Sequence, residues 1–334
     1  MAQVGHLALV LAFVLSSCAI PLDLLGKWRS SARLIQTGRD ATVLSFGCVS
    51  IAAITLVIAL VSGDFDIAYV VRHTSSASSL GYKLSALWAG AAGALLLWLW
   101  IQGGFVAAVF CKYGEHQRKS CANARVVANL VCVFFLLALT FEINPFALSG
   151  PLSPNGAPFD RPLGHPILLI GYAASVVPCA WSFAWLKWNN AQGPAPLFRQ
   201  VRYWILAAWL SLTVGAVLAG WSAYEQIGPE GTWLREVAQN VSVMPWLPAT
   251  ALLCWSRVNE RDAAAAKWIV ALSLLTFSLC ILSTFLARSN VPPGLRRLFT
   301  VLLIHIWALA AISLWRRHRH ARRSDETREP GCDR

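Results

Sequence analysis

Charged residues are scarce in this chain of 334 residues. Asp, Glu, Lys and Arg make up only 13% of it, whereas hydrophobic residues make up 57%. Such a chain cannot cover itself with a polar surface, which excludes an ordinary soluble protein and leaves lipid as its solvent. The sequence also lacks a polar stretch long enough for a separate soluble domain, and we detect no internal repeat.

Paired cysteine motifs are missing as well. The sequence contains 9 cysteines, but no Cys-x-x-C pair occurs and none of the cysteines falls in a predicted outer loop. The pattern therefore supports neither a disulfide framework nor a thiol-redox motif.

Long apolar runs dominate what is present. Several of them reach the roughly 20 residues that a helix needs to cross a bilayer. Because they are continuous, they do not match the alternation of a membrane barrel, so we predict an all-α polytopic membrane helical bundle. We assign about nine spans, to residues 5–24, 43–62, 88–110, 124–143, 166–186, 203–224, 241–256, 268–287 and 298–315.

The basic residues predict the orientation of these spans. With the amino terminus outside, three quarters of the 28 Lys and Arg residues lie in inner loops and the carboxyl-terminal tail, as the positive-inside rule requires. This split accounts for the net charge of +12, so nucleic acid is not an expected partner. We expect residues 1–316 to form the transmembrane domain. The basic cytoplasmic tail 317–334 should be disordered and contact anionic membrane lipid.

The predicted outer loops are residues 63–87, 144–165 and 225–240. In the last of them, Trp233, Val237 and Asn240 share one side of a helix, which predicts a short amphipathic helix lying along the outer face. The middle loop ends at His165, directly before Pro166, a residue suited to the first turn of the next span.

Several segments resemble the CcmF/NrfE/CcsA-type cytochrome c maturation proteins, with the spacing largely kept. They are "FDIAYVVRHTSSASSLGYKLSALWAGAAGALLLWLW", "NPF", "GHPILLIGYAASVVP", "GWSAY", "NVSVMPWLPATALL" and "TFLARSNV". The resemblance implies a protein of the bacterial cytoplasmic (inner) membrane that handles haem at the outer face for attachment to apocytochrome c. It also implies haem b as a cofactor and other cytochrome c maturation subunits as partners. Whether the chain is itself a component of a haem lyase (cytochrome c synthase) system stays open.

The resemblance also assigns candidate site residues. His165 matches an external haem ligand of the family, and imidazole is a common axial ligand of haem iron. The alternative is an interfacial histidine that caps a loop. Tyr172, in the same segment, and Trp246, in "MPWLP", are further implied haem contacts.

The family's tryptophan-rich haem platform corresponds here to "GPEGTWLREVAQN", residues 228–240, and is degenerate. Trp233 and Asn240 are kept, but Pro229 and Arg235 stand where tryptophans belong. A flat aromatic shelf suits a porphyrin, and one tryptophan supplies less of it. Arg235 either pairs with a haem propionate or is a solvated loop charge.

The family's other ligands are also altered in this shortened member. No histidine follows "FLARSNV", where the family has its second external ligand. Cys254 stands in place of an intramembrane haem histidine; a neutral buried thiol is a poor ligand, so we expect Cys254 to pack rather than to ligate haem as a thiolate. His305, a histidine within the last span, either makes a helix-to-helix hydrogen bond or ligates haem.

Two functions remain open from the sequence. Retained His165, Trp233 and Trp246 favour haem handling, whereas the missing second external histidine favours a non-catalytic membrane scaffold of the same lineage that has lost haem binding. A solute transporter is disfavoured, because we find no charged residue in mid-span and no inverted repeat.

Overall fold

The computed structural model describes residues 1–110, 118–149, 164–186, 195–227, 241, 243–256, 263–286 and 292–326. Within these ranges the only β pairing is an isolated bridge between Ile67 and Leu148. The described residues also include a 3-10 turn at Ala86–Trp88 and a π-helical turn at Ala138–Glu142. The α-helices are α1 (Ala2–Trp28), α2 (Ala32–Ser62), α3 (Ala68–His73), α4 (Leu80–Ser85), α5 (Ala91–Phe110), α6 (Arg118–Leu137), α7 (Gly164–Ala184), α8 (Ala195–Ile227), α9 (Trp246–Trp255), α10 (Ala263–Leu286) and α11 (Pro293–Glu326).

The prediction of an all-α polytopic membrane bundle is confirmed. Among the described residues, seven helices are long and apolar enough to cross a membrane. The count of nine is not confirmed. The predicted span 241–256 contains α9, a helix of 10 residues and therefore about 15 Å long, half the thickness of the hydrocarbon core. The predicted span 298–315 lies inside α11, which continues past residue 316 into the predicted tail.

Small residues join α1 to α2. The buried positions of α1 include Ala8, Ala12 and Ala19, which lie on one face at helical spacing, and a Cβ placed on Gly38 of α2 would lie 3.4 Å from the Ala19 carbonyl oxygen. Without a hydrophobic drive between helices in lipid, such small residues allow the close van der Waals contact that holds a helix pair together.

Glycines bring α7 and α8 into equally close contact. A Cβ placed on Gly171 would lie 2.9 Å from Leu212 Cγ, and one placed on Gly215 would lie 2.7 Å from Leu168 Cγ. These two contacts fix an antiparallel register between the helices. Of the seven membrane-spanning helices, α7 is the most completely buried.

An aromatic cluster links α7 to its other neighbours. Trp98 of α5 packs against Phe135 of α6 and Tyr172 of α7, with ring centroids 4.8 and 5.4 Å apart. Phe135 in turn meets Phe299 of α11 edge to face at 5.3 Å. The cluster therefore ties four helices into one core.

Exposed aromatic residues mark both ends of α8. Tyr203 is 79% exposed and Trp221 is 62% exposed. They lie about 27 Å apart along the helix axis, close to the thickness of the hydrocarbon core. Aromatic side chains favour the two membrane interfaces, so this pair indicates where α8 enters and leaves the bilayer.

Candidate functional site

An apolar cavity of about 680 Å³ opens between the carboxyl-terminal half of α8 and the start of α9. In sequence, its wall residues come shortly before and shortly after residues 228–240, the segment matched to the haem platform. Its volume is within the range of small-molecule sites. The walls are Thr213, Ala216, Val217, Gly220, Trp221, Tyr224, Val243 and Trp246.

Two tryptophans and two threonines bind α8 to α9 at the base of this cavity. Trp246 Nε1 donates to Thr213 Oγ1 at 2.9 Å, and Trp209 Nε1 donates to Thr250 Oγ1 at the same distance. Each threonine hydroxyl donates to the carbonyl four residues earlier, at 2.7 Å for Thr213 and 2.8 Å for Thr250. The indole rings lie 6.5 Å apart at 29°. Trp246 is thereby held as a wall of the cavity.

This Trp–Thr square was not predicted, although the sequence carries its signal. "WLSLT" begins at Trp209 and "WLPAT" begins at Trp246, so Trp-Leu-x-x-Thr occurs once on each helix. Residues four apart share a helix face, and an antiparallel pair places each tryptophan beside the other helix's threonine. A buried indole N–H needs an acceptor, which the threonine supplies.

His165 is the second residue of α7, and its side chain lies outside the described part of the structure. The register between α7 and α8 sets the level of its backbone. Gly171 opposes Leu212 and Leu168 opposes Gly215, so the start of α7 lies level with the cavity-lining stretch 216–220 of α8. Trp233, Arg235 and Asn240 also lie outside the described residues.

Tyr172 lies apart from the cavity, in the bundle core. Its ring packs on Trp98, and Ser283 Oγ donates to its hydroxyl oxygen at 3.1 Å. Tyr172 is only 6% exposed and is not among the described residues that line the cavity. Of the four described candidates, only Trp246 contributes to the cavity wall.

Cys254 and His305 do not share a site. Trp255, next to Cys254, stacks on Trp268 of α10 at 6.0 Å, whereas Trp307, near His305, donates to Ser278 Oγ at 3.1 Å. These two positions on α10 are about 15 Å apart along its axis. Among the described residues, no group of three or more His, Cys, Asp or Glu could hold a metal ion.

The environments of these two residues differ from expectation. Cys254 is exposed on α9, so it is not packed inside the bundle as predicted. His305 is exposed on α11, and its Nδ1 pairs with the Val301 carbonyl of its own helix at 2.7 Å, so no helix-to-helix bond is formed by this nitrogen.

A buried ion pair joins α1 to α6. Arg125 donates to both carboxylate oxygens of Asp23, through Nε at 2.8 Å and through Nη2, and Nη2 also donates to the Ile35 carbonyl at 2.9 Å. Both side chains are almost completely buried. The predicted orientation counts Arg125 among the inner-loop charges, but the structure places its side chain inside the bundle.

The same interface continues as a polar column. Asn129, one turn after Arg125, donates to Thr42 Oγ1 at 2.9 Å, and Ser16 and Ser45 hydroxyls lie 2.8 Å apart. Hydrogen-bonded polar residues hold membrane helices together where hydrocarbon offers no other partner. The column therefore stabilises the packing of α1, α2 and α6.

Residues 88–292, more than half of the chain, match the family model described as "Cytochrome C assembly protein". The chain belongs to the cytochrome c assembly protein family. The predicted resemblance is thus confirmed. The matched segment runs from the end of the 3-10 turn at Trp88 through α5 to α10 and includes every described residue of the cavity.

Curated members of the cytochrome c assembly family show the same relationship. The chain is 35% identical over 297 residues to cytochrome c-type biogenesis protein CcmF of Pseudomonas aeruginosa, covering 86% of this chain and 45% of that one. It is 31% identical over 333 residues to CycK of Bradyrhizobium diazoefficiens, covering 94% and 50%. NrfE of Haemophilus influenzae is 31% identical over 257 residues, covering 75% and 39%.

A solved structure named "Cytochrome c Heme Lyase CcmF" superposes with a TM-score of 0.82 at 27% identity. The match covers 94% of this chain and 51% of that one. The chain therefore spans about half the length of the relatives it matches.

Proposed function

We propose that this protein handles haem at the outer face of the bacterial inner membrane during cytochrome c biogenesis. The observation that carries the proposal is the apolar cavity between α8 and α9 in a member of the cytochrome c assembly family. In sequence, the wall residues of this cavity flank residues 228–240. Haem is the cargo, apocytochrome c is the recipient, and other cytochrome c maturation subunits are the expected partners.

The described walls of the cavity fit one face of a porphyrin. Trp221, Tyr224 and Trp246 supply aromatic area at little entropic cost, and Gly220 lets a flat ring approach the α8 backbone. Val217 and Trp221 are 65% and 62% exposed, so the cavity opens along the exposed surface of α8. A large apolar ligand could therefore enter without displacing the helix.

An imidazole ligand for the iron would have to come from beyond these walls. The described lining contains no histidine, cysteine or methionine. His165 is the nearest candidate by register, because the start of α7 lies level with residues 216–220 of α8. In the proposal His165 would hold the iron through its imidazole, Trp233 and Asn240 would extend the aromatic shelf, and Arg235 would pair with a propionate.

Bound haem would supply the vinyl groups that are joined to the recipient's cysteines. The chain's own residues would hold the porphyrin flat, exclude water from its apolar face and leave one edge facing outward. The outer placement rests on the predicted topology, with the amino terminus outside and the carboxyl terminus cytoplasmic.

The scaffold function is the second candidate, and the missing histidine after "FLARSNV" favours it. The positions of Cys254 and His305 do not decide between the two functions. Both side chains are exposed and lie at different depths, so among the described residues they build no inner haem site. Loss of that site is compatible with either a protein that only receives haem at the outer face or one that only assembles with a complete lyase.

An absorption spectrum separates the two functions. The protein is purified in detergent from cells with ample haem, together with His165→Ala and, as a matched control, His305→Ala. We expect a Soret band in the wild type that weakens markedly in His165→Ala and shifts toward a five-coordinate or water-ligated form. The band should be unchanged in His305→Ala. A haem-free wild type from such cells would establish the scaffold function instead.

A further inference from the structure

We infer that the Trp–Thr square is a positioning device for the haem cavity, in which Trp209 and Thr250 act through Trp246 without touching the ligand. The inference rests on the proposed haem-handling function. Thr213 and Trp246 line the cavity, whereas neither Trp209 nor Thr250 is among its described lining residues. Trp209 and Thr250, the outer members of the square, can therefore influence the cavity only through Thr213 and Trp246, its inner members.

The hydrogen bonds explain why all four residues are needed. Each threonine hydroxyl donates its one hydrogen bond within its own helix: Thr213 donates to the Trp209 carbonyl, and Thr250 donates to the Trp246 carbonyl. The hydroxyl oxygen is then left as an acceptor for the indole of the facing helix, at 2.9 Å in both cases. Removing one hydroxyl leaves an indole N–H in an apolar interface without its acceptor.

Ring packing passes the constraint from the outer members to the cavity. The indoles of Trp209 and Trp246 lie 6.5 Å apart and 29° from parallel, so a rotation of Trp209 changes the space available to Trp246. The α9 helix is only 10 residues long and begins at Trp246 itself. Trp246 therefore stands at the first position of α9, where its side-chain hydrogen bond to Thr213 on α8 fixes the direction of the indole.

The device also orders the ligand relative to the membrane. Thr213 and Trp246 form the base of the cavity, and Gly220, Trp221 and Tyr224 continue its wall about two and three turns further along α8. A fixed Trp246 restricts the orientations that a porphyrin resting on it can take. A mobile Trp246 would allow several orientations and weaker binding.

Thr250→Val tests the inference, since this change keeps the shape of the side chain, removes the hydroxyl and leaves the cavity lining intact. Thr250→Ser restores the hydroxyl. Thr276→Val is the matched control, because Thr276 is a buried intramembrane threonine on α10 whose hydroxyl donates to the Leu272 carbonyl at 2.7 Å. Each purified, monodisperse variant is titrated with haemin, following the Soret band and its induced circular dichroism.

We expect Thr250→Val to bind haemin about fivefold to tenfold more weakly, as for the loss of one buried hydrogen bond. Its Soret circular dichroism should change in sign or intensity, because that signal reports coupling between porphyrin and nearby indoles. Thr250→Ser and Thr276→Val should behave as the wild type. Unchanged affinity and dichroism in Thr250→Val overturn the positioning role alone. A wild type that binds no haemin overturns the haem-handling function and the positioning role with it.

Discussion

Asp23 and Arg125 are the residues whose burial carries the largest electrostatic consequence. Two charges inside a membrane bundle are tolerated because each compensates the other and Arg125 also satisfies the Ile35 carbonyl. Gly38 completes the site: a Cβ there would lie 2.7 Å from Asp23 Oδ1, so only glycine leaves room for the carboxylate.

Removing one partner of this pair should destabilise the protein more than removing both. We expect Arg125→Met to lower the free energy of unfolding by about 3–5 kcal/mol, because it leaves an uncompensated buried carboxylate. Adding Asp23→Leu to Arg125→Met should recover a large part of that loss. Thermal unfolding in detergent measures both. If the two substitutions destabilise the protein additively, so that the double variant is less stable than Arg125→Met by as much as Asp23→Leu alone is less stable than the wild type, the account is contradicted.

The sequence contained the information for the Asp23–Arg125 pair, but our interpretation treated the two residues separately. Asp23 falls in predicted span 5–24 and Arg125 in predicted span 124–143, both at the inner ends in the predicted topology. Opposite charges at one level of two spans predict a contact. The predicted orientation instead counts Arg125 as an inner-loop charge, although it stands in the first turn of the predicted span, because a basic residue at the edge of an apolar run is taken as solvated by default.

At the scale of the elements, the contact between α7 and α8 places His165 level with the cavity. It depends on Gly171 and Gly215, each of which lets a leucine of the other helix approach its backbone. The start of α7 would move along or away from α8 if either glycine gained a side chain. The geometry of the candidate site is therefore set by helix packing some distance from it.

Gly215→Ala should disturb this contact. The new Cβ would lie 2.7 Å from Leu168 Cγ and 2.9 Å from the Leu168 backbone nitrogen, so a destabilisation of about 1–3 kcal/mol is expected from overpacking. Gly47→Ala is the control, because nothing lies within 4 Å of a Cβ at that position of α2. Equal thermal stability of the two variants would show that the α7–α8 approach is looser than described.

Elements were predictable where long apolar runs determine them, and less so at their ends. The run 43–62 predicted a span, but α2 begins eleven residues earlier, at Ala32, where Ser31 accepts a hydrogen bond from the Leu34 amide at 3.5 Å. Polar helix ends continue past the hydrocarbon, so hydropathy does not find them. In the predicted span 241–256 the helix is shorter than predicted, because Met244 and Pro245 form a turn before α9 begins. Hydropathy does not detect such a turn inside an apolar run.

At the scale of the whole molecule, the distribution of basic residues predicts which face is outside. Reporter fusions at Ser76, in a predicted outer loop, and at Arg328, in the tail, test this directly. We expect a periplasm-active reporter to function at Ser76 only and a cytoplasm-active reporter to function at Arg328 only. The reverse pattern would place the cavity on the cytoplasmic side and remove the outer-face function.

The resemblance in the sequence identified the family and the bundle, but not the cavity. Trp246 lies in the resembling segment "MPWLP", and Gly220, Trp221 and Tyr224 lie in the resembling segment "GWSAY". The sequence does not distinguish the remaining α8 walls, Thr213, Ala216 and Val217, from lipid-facing residues. Cavities arise from how two helices meet, and hydrophobic composition does not distinguish a residue facing lipid from one facing a ligand.

The position of bound iron tests the central claim most directly. Crystals of the haem-loaded protein, measured at the iron absorption edge, give that position by anomalous scattering. Our account predicts a single strong peak beside the cavity between α8 and α9, near Trp221 and Trp246 and at the level of the start of α7. A peak beside His305 or Cys254, or no iron in crystals grown with saturating haem, would contradict it.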